Sequence, residues 1–274
     1  MPATMTRPES AVPAPTTGLL RAAVASEATK LRSVRSTVWT LFATLFVTIG
    51  IGSLICLARV SRWDQLAPRE RFNFDPTSFS LRGVFLAQLA IGVLGVLVIS
   101  SEYSTGMIRT TLAAIPQRRV VLTAKVIVFA VVAFVVATVA CIAAFLAGQA
   151  ILSQKTVVPS LSDGAALRAV LGAGFYLTVI GLLGVALGTL LRRAAGAIAT
   201  LFGLVLVLPA LVSALPSPWD TDVAKYLPSD AGNALFTVKQ TSDQLRPAAA
   251  VAVLVAYVVV ALTLAGVALA RRDA

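Results

Sequence analysis

The sequence predicts an all-α integral membrane protein, with six transmembrane helices preceded by an N-terminal amphipathic interfacial helix. Three observations predict it. Of 274 residues, 58% are hydrophobic and only 13% charged, whereas a soluble domain carries about 25% charged residues. Six stretches, 38–58, 83–99, 126–152, 169–191, 194–215 and 248–270, contain no Asp, Glu, Lys or Arg. Each is close to the roughly 17–25 apolar residues that one bilayer crossing needs. All 35 charges therefore fall between these stretches, at the density of an ordinary solvated surface.

The segments follow in order. Residues 1–17 hold Pro2, Pro8, Pro13 and Pro15 among small and polar side chains, a composition that buries no core and predicts a disordered cytoplasmic tail. No apolar stretch follows the start, so the first span, 38–58, is expected to act as an uncleaved signal anchor. In 18–37, Leu31, Val34 and Val38 recur at spacings of three and four, with Leu20 and Val24 ahead of them. Glu27, Lys30, Arg32 and Arg35 add charge at other positions, which predicts an amphipathic helix on the membrane surface or a solvated helix with a positive anchor.

The rest, 38–274, forms the six-span transmembrane domain. Its connections are 59–82, 101–125 and 153–168, the pair Arg192–Arg193, and 216–247, the longest. With both termini on one side, that side holds 13 basic residues against 10, and 4 acidic residues against 8. This bias, the tight arginine turn and Arg271–Arg272 at the end predict cytoplasmic termini. Trp39, Trp63 and Trp219 stand at or just beyond span ends, as interfacial aromatics do. Arginine outnumbers lysine 18 to 5 and alanine is abundant, pointing to a bacterial plasma membrane.

Several function classes fall away. Histidine is absent, which removes histidine catalysis and His-based metal or haem sites. Cys56 and Cys141 lie inside apolar stretches and are expected to be packed thiols, not a disulfide. There is no GxxxxGK[ST] and hence no phosphate-binding loop. The net charge of +11 suits loops facing an anionic membrane surface; no basic domain exists outside the membrane to bind nucleic acid.

No span carries a charge, which counts against an ion-coupled transporter, because a coupling ion needs a site inside the bundle. The embedded polar groups are mild. Gln88, Thr48 and Thr200 are the candidates for lining a pathway, while interhelical hydrogen bonding is the commoner use of such groups. Gly184 and Gly188 have the GxxxG spacing of close helix packing, and Pro209 is expected to kink span five.

The stretch 101–125, SEYSTGMIRTTLAAIPQRRVVLTAK, begins where span two leaves the membrane. Ile108, Leu112 and Ile115 make an apolar face, Pro116 breaks it and Arg109 points away, so a short interfacial helix is expected. Glu102 and Arg109 are seven residues apart, two helical turns, within reach of a direct pair.

Glu102, Tyr103, Gly106, Ile108, Arg109, Leu112, Pro116, Arg119 and Lys125 together resemble the loop after span two in permease subunits of ABC-2-type ABC exporters. The layout is similar too, from the interfacial helix with Glu27, Lys30 and Arg32 to the loop 226–236 ahead of span six, which in that family dips back into the membrane. The resemblance implies an ATP-driven exporter in which this chain forms the substrate pathway with a second copy of itself or a homologous permease. A separate ABC ATPase subunit would hold ATP and Mg, so the chain is expected to bind no cofactor or metal and to be no enzyme itself. Glu102, Tyr103, Gly106, Arg109, Arg118 and Arg119 would couple the two. Membrane lipids are the remaining partner. The alternatives are an ATP-independent secondary transporter or channel, and a membrane scaffold or immunity protein that moves no substrate.

Overall fold

The computed structural model describes residues 16–115 and 117–271, which are helical with no strand among them. The tail expected over 1–17 lies outside these residues except for Thr16 and Thr17, which already open the first helix, α1 (Thr16–Ser33). Pro116 and Arg272 lie outside them as well.

The chain breaks at Val34, whose extended backbone (φ −82°, ψ 108°) separates α1 from α2 (Arg35–Ser61). The amphipathic helix is therefore not continuous through 37, and the first span begins earlier than its charge-free stretch. The loop that follows contains the short helices α3 (Pro68–Phe72) and α4 (Pro76–Ser80). Next come α5 (Val84–Ser104), α6 (Met107–Ala114), α7 (Arg118–Leu152) and α8 (Gly164–Leu191). Span five is composite: α9 (Ala194–Phe202), a π turn over Gly203–Val207, and α10 (Leu208–Val212). Pro209 has no N–H, and its ring crowds the carbonyl of Val205, so the expected distortion takes the form of that wide turn. The last loop carries α11 (Trp219–Asp222) and α12 (Pro228–Phe236), and α13 (Pro247–Arg271) closes the bundle. Six helical segments are long and apolar enough to cross a membrane.

Helix α8 is the centre. It packs against α5, α7, α9, α12 and α13, and its buried face runs from Ala166 to Thr189. The contact with α5 is a glycine seam. A methyl at Gly95 would overlap the Gly181 carbonyl, and one at Gly184 would overlap the Gly92 carbonyl and sit 3.0 Å from the Val96 nitrogen. The GxxxG pair thus brings two spans of the same chain into backbone contact. In the middle of α7, residues 131–144, the sorting follows size: Ala133, Ala137, Ala140 and Ala144 face inward, while Val131, Val135 and Val139 face out. Small residues let helices approach when lipid removes the hydrophobic drive between them.

The loop end of the bundle has its own core. Trp63 packs on Phe74 edge-to-face (5.2 Å between centroids), with Cys56 and Leu152 beneath. Trp63 is consequently buried in the loop rather than turned to an interface; Trp39 and Trp219 are exposed. Both cysteines are free and buried. Asp75 fastens the two long loops together. Its Oδ1 accepts from the Thr77 and Ser78 amides at the start of α4. Its Oδ2 accepts from the Ser78 hydroxyl and from the Val238 and Lys239 amides.

Candidate functional site

The expected charge pattern of α1 does not hold at one position. Ala23, Glu27 and Leu31 are its buried residues, so Glu27 sits in the middle of the packed face, against α7. It is buried there because its partners are. Lys125 lies two turns inside α7, which begins at Arg118 rather than at the end of the polar segment. Its Nζ lies 2.5 Å from Glu27 Oε2 and 3.0 Å from Glu102 Oε1. Lys30 Nζ lies 2.7 Å from Glu27 Oε1 and 3.0 Å from the same Glu102 Oε1. The four side chains form a closed, formally neutral ring in which each charge touches two of opposite sign.

Hydrogen bonding inside the ring is nearly complete. An ammonium has three donors. Those of Lys125 meet Glu27, Glu102 and the Val98 carbonyl (3.4 Å); those of Lys30 meet Glu27, Glu102 and Thr111 Oγ1 (3.4 Å). Only Glu102 Oε2 is buried without a partner. Glu27, Glu102 and Lys125 are 4%, 5% and 2% exposed, so these charges are stable only as a set. Burial acts to raise the Glu27 pKa, but Lys125 and Lys30 outweigh it and hold the carboxyl below the ordinary range. For Lys30 burial likewise acts to lower the pKa, and Glu27 and Glu102 outweigh it and raise it.

Four elements meet here: α1 through Glu27 and Lys30, the end of α5 through Glu102, α7 through Lys125, and α6 through Thr111. Helix α6 is set by Gly106, which turns the chain out of α5 in the left-handed conformation (φ 73°). A non-glycine residue there costs about 1–2 kcal/mol. Ile108 is buried on the inner side of α6, while Met107, Arg109, Thr110, Ala113 and Ala114 are exposed. Arg109 is thus on the outer face, and Glu102 takes two lysines as partners instead of it. Beside the ring a cavity of 380 Å³ opens between the α1–α2 elbow and α5, lined by Leu31, Val34, Thr37, Leu94, Val98 and Met107 among others.

The sequence profile of a family described as "ABC-2 family transporter protein" matches residues 23–214, which contain the whole ring and α6. The chain belongs to this family. No curated protein matches it with significance. The family assignment makes the chain the membrane permease component of an ABC-type transporter, a multi-pass membrane protein that associates with an ABC ATPase component.

The other coupling residues expected of this ABC-2 permease are distributed around α6. Tyr103 lies under the Arg192 guanidinium (Cζ 5.2 Å from the ring centroid), which joins α5 to the tight turn after α8. That turn forms because Arg192 is itself left-handed (φ 55°). Arg118 donates to the Leu269 carbonyl (3.0 Å) in the last turn of α13, satisfying one of the carbonyls a helix end leaves open. Arg119 is exposed, and so is Arg32 on α1.

The pathway candidates of the permease divide. Gln88 is buried and accepts a hydrogen bond from the Tyr176 hydroxyl, while its own amide donates to the Phe85 carbonyl. The Tyr176 ring is covered by Gly232 of α12 and lies 6.4 Å from Phe236. The short helix of the last loop is therefore packed on the buried polar pair. Thr48 is buried and bonds back to Thr44 of its own helix; Thr200 does the same with Gly196 on an exposed face of α9. Among the described residues no three His, Cys, Asp or Glu side chains come together as a metal-ligand set.

Lys125 and Thr111 are the members of this cluster that the sequence did not single out as site candidates. A signal for Lys125 existed. Glu102 ends span two, Lys125 precedes span three, and consecutive spans run antiparallel, so opposite charges fall at one level.

Proposed function

We propose that this permease is the pathway-forming subunit of an exporter, driven by a separate ATPase seated under α6, with both termini cytoplasmic in a bacterial plasma membrane. Its pathway is built with a second copy of itself or a homologous permease. The observation that carries the reading is the ring of Glu27, Lys30, Glu102 and Lys125. Through Thr111 it joins α6, whose outer face is exposed, to three other helices, so a push on α6 is shared by α1, α5 and α7. The charge-free middle of every span favours an apolar or amphiphilic cargo, and the lack of a phosphate-binding loop agrees with ATP being held by another chain. Two arrangements of the bundle, biased by the nucleotide state of the ATPase, then give alternating access.

The test is transport per ATP hydrolysed, in vesicles containing the permease and its ATPase at matched membrane levels. Arg109→Ala removes a charge from the outer face of α6, and Glu102→Gln weakens the ring while keeping its shape. Both variants are expected to insert normally and to hydrolyse ATP with reduced transport. Unchanged coupling in both overturns the assignment of this site.

A further inference from the structure

The opposite end of the bundle holds a second cavity, of 450 Å³, whose lining includes Arg59, Arg82, Phe79, Phe85, Asn233 and Gln244. That volume lies within the range of small-molecule sites, about 300–1,000 Å³. We propose that it binds the anionic headgroup, phosphate or carboxylate, of an amphiphile. The inference does not depend on the coupling of α6 to an ATPase.

The cations come first. Phe79 is flanked by two guanidiniums, with Arg82 Cζ 4.3 Å and Arg59 Cζ 5.2 Å from its centroid; Arg59 also lies 5.3 Å from Phe74. Aromatic faces hold the planes of these groups in place, which leaves the N–H edges, the part that grips an oxyanion, unspent. Arg59 Nε is buried and has no acceptor.

The acids on the lining do not compete for those edges. Asp75 already accepts from four amides and a hydroxyl, across both oxygens. Glu70 is exposed at the rim. The lining thus holds two cations with open N–H edges and two carboxylates, one saturated by backbone amides and a hydroxyl, the other solvated at the rim. The neutral groups complete the site. Asn233 Oδ1 accepts from Thr237, which leaves its NH₂ free to donate, and Gln244 Oε1 is buried with no donor, a place for a hydroxyl next to the anion. Phe85 and Phe236, 5.8 Å apart, add an apolar side on which the first carbons of a tail can lie.

The experiment is native mass spectrometry of the full chain in detergent, titrated separately with phosphatidylglycerol, phosphatidylcholine and inorganic phosphate. Phosphatidylglycerol is expected to bind the wild type and Arg62→Gln equally, Arg62 being an exposed arginine outside the cavity. The double variant R59Q/R82Q is expected to lose about tenfold in affinity or more, the scale of one lost charge-assisted hydrogen bond. Inorganic phosphate that binds with the same arginine dependence supports the site and assigns it to a soluble anion. Phosphate without effect beside bound phosphatidylglycerol supports it and assigns it to a lipid. Equal binding of phosphatidylglycerol by wild type and R59Q/R82Q, or of phosphatidylcholine as tightly as phosphatidylglycerol, overturns it. If the double variant does not fold, R82Q carries the test, since Arg82 is exposed and its replacement disturbs no core.

Discussion

Glu27 and Lys125, 98 positions apart in sequence, meet with Oε2 2.5 Å from Nζ in the packed contact between α1 and α7. The pair places a surface helix by charge rather than by grease. Of the three buried residues of α1, only Leu31 is a large apolar one. A hydrophobic face can slide along its partner; a charge pair buried on both sides has one register.

Replacing Lys125 by Met should cost about 3–5 kcal/mol, because two buried carboxylates are left with one ammonium. Glu102→Gln in the same background should restore part of that, since it removes the excess charge. Denaturant unfolding in detergent measures the cycle. Strictly additive costs for K125M and E102Q would show that the two groups do not interact.

The pH response of α1 follows from its own charges. Glu27 is held below the ordinary 4.5, so its contribution is complete above that pH and fades as pH falls through the lower folded value. Lys30 is held above 10.5, so its contribution is complete below that pH and fades as pH rises through the higher folded value. Hydrogen exchange of the peptide 18–33, corrected for intrinsic rates, should therefore be flat across neutral pH and rise on both sides. Glu27→Gln should abolish the acid limb.

The glycine seam gives a contrast in packing. Gly95→Ala forces a methyl against the Gly181 carbonyl, and overpacking of this kind costs about 1–3 kcal/mol or more. Gly196→Ala, on α9 with open space around it, should be neutral or stabilising by up to about 1 kcal/mol. Melting temperatures in one detergent check both, and equal effects would contradict the seam.

Topology can be read with an impermeant thiol reagent, because Cys56 and Cys141 are both 0% exposed and give little background. A cysteine at Val157, which is 93% exposed, should label from outside intact cells. One at Arg119 should label only after lysis. The reverse pattern would place α6 on the outer side.

The spans were legible because each is a stretch free of charge, a property carried by composition alone. The tight turn at Arg192–Arg193 and the distortion near Pro209 were legible for similarly local reasons. The ring was not. Its members come from three separate segments, and although Glu27 falls three residues after Val24 and four before Leu31, on their face, its charge assigns it to the solvated side, since no local rule states that a carboxylate will be buried. Only the position of Lys125 on the helix facing α1 reverses that assignment. Trp63 shows the same limit: its place beside a span end suits an interface, but Phe74, eleven residues later, folds back to cover it.

The backbone contact between α5 and α8 has a mechanical consequence. Glu102 and Gln88 stand at two ends of one helix, about 21 Å apart at 1.5 Å per residue. Because the seam leaves no compressible side-chain layer between α5 and α8, the two helices are stiff as one plank, and α5 cannot bend independently along that length. A tilt of about 5° at the Glu102 end therefore arrives at Gln88 as a displacement of about 2 Å over the same lever arm. Tyr176, on α8, moves with Gln88, so the stroke is felt where its ring meets Gly232 and Phe236 of α12. A machine built this way needs no relay of small rearrangements through its middle, because the beam itself delivers the stroke.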